Sequence, residues 1–415
     1  MRATPSMFEE ISITFKPSTF TKPARMAALD RIGHHVRTVS FNMLHTPETF
    51  LPPLVDPMTG AEQAFVYSPQ AHRPSTLIGQ VKEPKYGSWE MTDLLIKQYP
   101  PLFHAATNIP SFIHAFSLLP CLAHFKVSCP GQDDCQRYRR SAIDYALRSL
   151  RIAVETAPLE VLDTISLLPI HPGALLYLQP LLGFGNSPRA SRRWAQIRRL
   201  IIQMDGFPFE QSNRSEHLKI LHSYLGYFSP HLTRLRFRWE GDKGPSPFTL
   251  DQEPCLQPSD SPSEKPGLRP LNFARLRYME LENATMDSTQ VSAFISRHRR
   301  AFSEFNFEDV TLRTGTWGDA LAPLSRIAGN DSRKQKQQQV MDVPVVLSPA
   351  NLEPRVMESI LQDQQRAECS GTQLAMSRWL SKGRSAVAAN KGKELFWSSG
   401  EHMKEFLMTS VFPWR

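Results

Sequence analysis

The chain has 415 residues, 41% hydrophobic and 21% charged, which is enough apolar mass for a large core and too much for a disordered polymer. Lys and Arg outnumber Asp and Glu by 48 to 40, a formal net charge of +8, and so small an excess on so long a chain suits an anionic partner without demanding one. Thirty-four prolines against 20 glycines exclude long continuous helices and Gly-rich linkers alike, and predict many short elements joined by stiff loops.

From Met1 to Glu10 there is no apolar run of the kind a signal peptide needs. Five cysteines, Cys121, Cys129, Cys135, Cys255 and Cys369, make an odd number, so the expected location is intracellular, cytoplasmic or nuclear, with reduced thiols. The most apolar stretch, Ile165 to Phe184, is cut by Pro169, Pro172 and Pro180 and carries His171, so no membrane span is expected. Without a secretory route, the N-x-S/T triplets at Asn213, Asn283 and Asn330 read as chance matches.

Ile11, Ile13 and Phe15 predict a first strand. An L-x-x-L-x-L spacing then recurs as Val36, Val39, Phe41; Leu122, Phe125, Val127; Leu162, Ile165, Leu167; Ile197, Leu200, Ile202; Leu232, Leu235, Phe237; Leu276, Met279, Leu281; and Phe302, Phe305, Phe307. The last two positions of each copy lie two apart, on one face of a strand, so each copy predicts a short half-buried strand. Between copies the apolar period becomes helical: Arg137 to Thr156, closed by Pro158; Ser215 to Phe228, with Ser215 as cap; and Ser288 to Arg300. Strands alternating with helices at irregular separations predict an α/β fold, an irregular leucine-rich-repeat solenoid of parallel strands over residues 8–328.

Gly241 to Pro270 carries seven prolines among Ser, Asp and Glu and predicts a disordered, exposed insertion. Residues 329–339 read as a polar linker. Residues 340–415 open with the apolar run Val343 to Leu347, suggest helices at Glu353 to Gln364 and Glu401 to Met408, and predict a C-terminal helical appendage packed through its aromatics.

Constellations for chemistry are sparse. Cys121, His124, Cys129 and Cys135 have the loose spacing of a zinc site without paired C-x2-C knuckles, and the strand prediction sends His124 to the face opposite Phe125, so no metal and no cofactor are expected. Gly183 to Pro188 resembles a truncated dinucleotide loop with proline at the third glycine position, and reads better as a turn. His217 and His222, five apart, fall on different faces of a helix. The run Arg189, Arg192, Arg193, Arg198, Arg199 around Trp194 is a candidate for single-stranded nucleic acid, against the plainer account of a solvated helix face with Trp194 packed inward. No catalytic residue is assigned and no enzyme is expected.

In such a solenoid the residues between the buried ones line the exposed face of the sheet. They are Thr38, Ser40, Asn42; His124, Lys126, Ser128; Thr164, Ser166, Leu168; Arg199, Ile201, Gln203; Arg234, Arg236, Arg238; Tyr278, Glu280, Glu282; and Glu304, Asn306, Glu308. Arg199, Arg234, Arg236 and Arg238 form a basic centre beside Glu280, Glu282, Glu304 and Glu308, with Tyr278 at the border. Two accounts compete: cross-strand ion pairs such as Arg236 with Glu280, or a surface that orients a partner of complementary charge.

The segments PKYGSWEMTDLLIKQYPPLFHA (Pro84 to Ala105), YALRSLRIAVETAPLEVLDTISLLPIHPGALLYL (Tyr145 to Leu178) and FISRHRRAFSEFNFEDVTLRTGTWGDALAPL (Phe294 to Leu324) resemble filamentous-fungal F-box proteins with degenerate leucine-rich repeats. The resemblance implies a substrate receptor of a cullin-RING ubiquitin ligase, whose repeats recruit a protein client. The chain departs from that family's pattern at Met1 to Phe20, which carries no LPxE-type helix start. A Skp-type adaptor and cullin are therefore expected as partners only if an F-box lies upstream. The expectation is a non-catalytic protein-interaction module, with a nucleic-acid-associated protein using Arg189 to Arg199 and Arg234 to Arg238 as the alternative.

Overall fold

In a computed structural model the chain is an α/β protein whose helices alternate with a mostly parallel sheet. The structure describes residues 8–329 and 345–347, apart from 66, 68, 70–85, 132–139, 181–189, 206–213, 254–255, 257–267, 299 and 302. The main sheet runs β1 (Glu10–Thr14), β2 (Thr38–Asn42), β3 (His124–Cys129), β4 (Thr164–Ile170), β5 (Arg199–Asp205), β6 (Arg234–Glu240), β8 (Tyr278–Glu282), β10 (Glu304–Glu308) and β12 (Val345–Leu347). A smaller sheet orders β11 (Thr311–Thr314), β9 (Ala284–Asp287) and β7 (Gly244–Pro245).

The last two positions of every predicted triplet fall on a strand of the main sheet, with the described first positions just before it, and the central residues align across the sheet. Ile11, Val39, Phe125, Ile165, Leu200, Leu235, Met279 and Phe305 share one row through consecutive parallel registers. From Val39 to Phe305 the row is buried and forms the spine of a single apolar core. Alternation explains the pairing: a one-residue slip would turn these side chains toward solvent and the Arg and Glu residues inward.

The helices between strands are α1 (Pro23–Ile32), α2 (Trp89–Gln98), α3 (Pro101–Ala106), α4 (Ile109–Ser117), α5 (Ala142–Thr156), α6 (Ala174–Leu178), α7 (Ala190–Ala195), α8 (Arg214–Phe228), α9 (Ser288–His298) and α10 (Trp317–Gly329). Helix α5 starts later than its apolar period suggests. Ser141 accepts from the Ile143 amide and sets the start, because a side-chain cap satisfies an amide that periodicity alone does not locate. Helix α8 already includes Ser215, so that residue is in its first turn and not at its cap.

The proline-rich stretch departs from expectation. Over 241–253 it is packed: Gly244 and Pro245 pair with β9, and Phe248 and Leu250 are buried. Phe248 lies 6.1 Å from Phe273 and 5.7 Å from Phe294, so two apolar residues suffice to anchor a segment whose composition alone reads as disordered. Residues 257–267 of that stretch lie outside the described residues, as do most of the polar linker and, β12 aside, the expected C-terminal helical appendage. Of the apolar run, Val345–Leu347 forms β12, which pairs in parallel with β10.

The small sheet exposes a second repeat. After β6, β8 and β10 the chain turns a corner at Gly241, Asn283 and Asp309, each at positive φ (84°, 56° and 52°). The preceding residues read Trp239-Glu240, Leu281-Glu282 and Phe307-Glu308. An apolar residue, a glutamate and a residue tolerant of the left-handed region thus mark each corner. Neighbouring corners are tied together: the Asn283 amide donates to the Glu308 carbonyl at 3.0 Å, and its Nδ2 donates to the carbonyls of Trp239 (3.0 Å) and Gly241 (2.9 Å).

Candidate functional site

Strand alternation leaves one side of the main sheet open between β5 and β10. In β6 the residues alternate without exception, Arg234, Arg236, Arg238 and Glu240 outward and Leu235, Phe237 and Trp239 inward. Registers assemble three rows: Arg199, Arg234, Tyr278, Glu304; Ile201, Arg236, Glu280, Asn306; and Gln203, Arg238, Glu282, Glu308. The structure thus brings the predicted face residues onto adjacent strands, with arginine meeting glutamate in the second and third rows.

Those meetings are ion pairs. Arg236 Nε lies 3.1 Å from Glu280 Oε1, and Arg238 Nη1 lies 3.1 Å from Glu282 Oε1. The arginines remain about half exposed, at 48% and 46%, while the glutamate side chains retain 9% and 13%. Glu280 is therefore a buried anchor beneath the arginines and not an offered charge, and Tyr278 Oη donates to its other oxygen at 2.7 Å. Desolvation raises the Glu282 and Glu304 carboxyls above their ordinary value. Carboxylate oxygens of Glu280, Glu282 and Glu308 come within 4.8 Å of one another, and Arg236 and Arg238 supply the balancing charge. Arg199 reaches toward Asp163 at 4.0 Å.

Over β3 and β4 the face is less open. Ser166, expected on the open side, is buried under His124, whose Nε2 sits 2.7 Å from Ser166 Oγ. Lys126 pairs with Glu10 at 2.6 Å. The accessible patch is thus Arg199, Arg234, Arg236, Arg238 and Glu308, with Tyr278, Glu282 and Glu304 half exposed.

The basic run does not make a stacking site. Trp194 is buried, 5.8 Å from Phe228, and its Nε1 donates to Glu155 Oε1 at 2.8 Å. Arg193 donates to the Leu159 and Ala157 carbonyls, and Arg198 to the His231 carbonyl, so these arginines close loops. Arg189 and the Gly183 to Pro188 loop lie outside the described residues.

A second grouping escaped the sequence reading. At the C-terminal ends of β2, β3 and β4, ligand atoms of His45, Cys129 and His171 lie within 4.8 Å of one another. Of the predicted metal candidates only Cys129 takes part: Cys121 is exposed, His124 is with Ser166, and Cys135 lies outside the described residues. Desolvation holds His45 down at about 4 and His171 well below its ordinary value, and raises the Cys129 thiol. The carboxyls of Asp144 and Asp205 are pushed up to about 7, again by burial. Three residues so far apart in sequence share no motif; only strand adjacency joins them. No protein-family model matches the chain, and no curated protein matches it.

Proposed function

We propose that the chain is a non-catalytic protein-interaction module, an irregular leucine-rich-repeat solenoid similar to the substrate-recognition part of a fungal F-box ubiquitin-ligase receptor. The observation that carries this reading is the open, charged stretch of sheet from β5 to β10. Strands β5, β6 and β10 present Arg199, Arg234, Arg236, Arg238 and Glu308 on one surface, with the half-exposed Tyr278 and Glu282 of β8 between them, and the core occupies the other. Electrostatic complementarity of this kind orients a partner and speeds encounter more than it adds affinity.

A charge reversal at Arg236→Glu with Arg238→Glu tests it. Affinity capture with the full chain, read by mass spectrometry, is expected to lose a specific protein client by at least about tenfold, the scale of one or two lost charge contacts. Reversal also removes the charge that balances the mostly buried Glu280 and Glu282 carboxylates and is expected to lower the melting temperature, so capture is compared at a temperature where both chains are folded by circular dichroism. Stability lost with capture unchanged would assign the pairs to the fold alone. Co-capture of an adaptor and cullin tests the ligase part of the proposal separately. Nuclease-sensitive capture would instead support the alternative, a nucleic-acid surface on the same arginines; the burial of Trp194 and the pairing of Arg236 and Arg238 speak against that reading.

A further inference from the structure

We propose that His45, Cys129 and His171 form a binding site for a single zinc ion that clips together the C-terminal ends of β2, β3 and β4. The three residues arrive from consecutive strands of the sheet. Cys129 ends β3, His171 follows the last residue of β4, and His45 follows β2, whose continuation at Met43 donates to the Ser128 carbonyl at 2.8 Å. The convergence depends on a bulge. Val127 pairs with Leu167, but Cys129 pairs with Ile170, so β4 carries one extra residue, and the His171 amide then donates to the Cys129 carbonyl at 3.0 Å. Bulges of this kind re-aim the side chain that follows and recur beside functional sites.

The donor set fits the ion. One thiol and two imidazoles are borderline-soft ligands, and bonds of about 2.0–2.3 Å set donor separations of roughly 3.3–3.6 Å in a tetrahedron. The three donors already lie within 4.8 Å, so rotamer adjustments of about an ångström close them on one ion. A further interaction orients His45. Its Nδ1 sits 3.1 Å from the Pro130 carbonyl, and since a carbonyl only accepts, Nδ1 carries the proton and Nε2 the lone pair. Imidazoles that ligate metals are held in this way. Cys129 and His171 are fully buried, so an ion held between them would be shielded from water on the protein side. On binding, Zn²⁺ forms one Zn–S and two Zn–N bonds, and the Cys129 proton leaves to water. Three protein donors leave a fourth position for a water or another ligand.

The test is cobalt substitution in the full chain. The protein, stripped with chelator and confirmed folded by circular dichroism, is titrated with Co²⁺ alone. The expected result is one equivalent bound, with a sulfur-to-cobalt charge-transfer band and the visible bands of a tetrahedral ion, and competition by Zn²⁺. A chain whose other cysteines are replaced, Cys121→Ala, Cys135→Ala, Cys255→Ala and Cys369→Ala, should keep the band. Cys129→Ala should abolish it, and His45→Ala should weaken binding by at least about 100-fold, beyond the range seen when only a supporting partner is lost. No charge-transfer band in the folded wild-type chain, or a band lost from the chain whose only cysteine is Cys129, would overturn the proposal. This outcome is independent of the client-binding reading, since the open face lies on other strands.

Discussion

Glu155 shows how one buried charge is held. It lies on α5 with Arg151 one turn earlier, 2.9 Å away and 2% exposed, and it also accepts from Trp194 of α7. Glu155→Ala leaves the Arg151 guanidinium buried without this carboxylate and is expected to cost about 3–5 kcal/mol in urea unfolding, far more than removal of any exposed pair. Asp144 acts in the opposite sense. It stands in the first turn of α5, where a helix favours negative charge, yet desolvation outweighs that and sets its carboxyl at about 7 against 3.8. Between those values the folded chain holds a proton that the unfolded chain releases. The stability contributed is therefore complete below about pH 4 and lost as the pH rises through about 7. Asp144→Asn should melt higher than the wild type near pH 8 and about level with it near pH 4, a comparison that differential scanning fluorimetry can make.

At the level of elements, the strands were legible because alternation and burial are the same fact stated twice: a residue such as Leu235 must be inside if Arg234 and Arg236 are outside. Helix starts were less so, because Ser141 and Ser215 are equally good caps by type, and only the packed chain decides which one acts. The corner residues were readable in principle. Trp239-Glu240-Gly241, Leu281-Glu282-Asn283 and Phe307-Glu308-Asp309 repeat a pattern, but Gly, Asn and Asp look alike only to someone who already knows that positive φ is needed. Asn283→Ala should lose about 1–3 kcal/mol, since it keeps the left-handed backbone while removing both Nδ2 bonds. Asn283→Gly should lose less, because glycine removes the backbone strain, and chemical unfolding of the two variants side by side checks the difference.

For the molecule as a whole, the strands from β2 to β10 lean on their neighbours through one aligned, buried apolar row, so stability should be greatest in the middle and decline toward the margin. Strand β1 has no buried residue, whereas β4 buries Thr164, Ile165, Ser166, Leu167 and Ile170. Hydrogen exchange should find the amides of β4 and β5 among the slowest in the chain and those of β1 much faster. Leu200→Ala, at the middle of the row, should cost about 2–5 kcal/mol. At this scale the open face was legible and its electrostatics only half so. Charge signs follow from sequence, but that Glu280 sinks below Arg236 depends on which strand sits next to which and how deep. The grouping of His45, Cys129 and His171 was hidden for the same reason, compounded by a bulge that shifts β4 by one residue.

The strict in–out alternation of β6 means that fold and surface chemistry are written in separate letters of the same strand. Substitution at 234 changes the charge of the open face while Leu235, Phe237 and Trp239 hold the core, whereas at 236 and 238 it also strips Glu280 and Glu282 of their arginines. The outward arginines of β6 are therefore of two kinds, one free to vary and two tied to the neighbouring strand by charge.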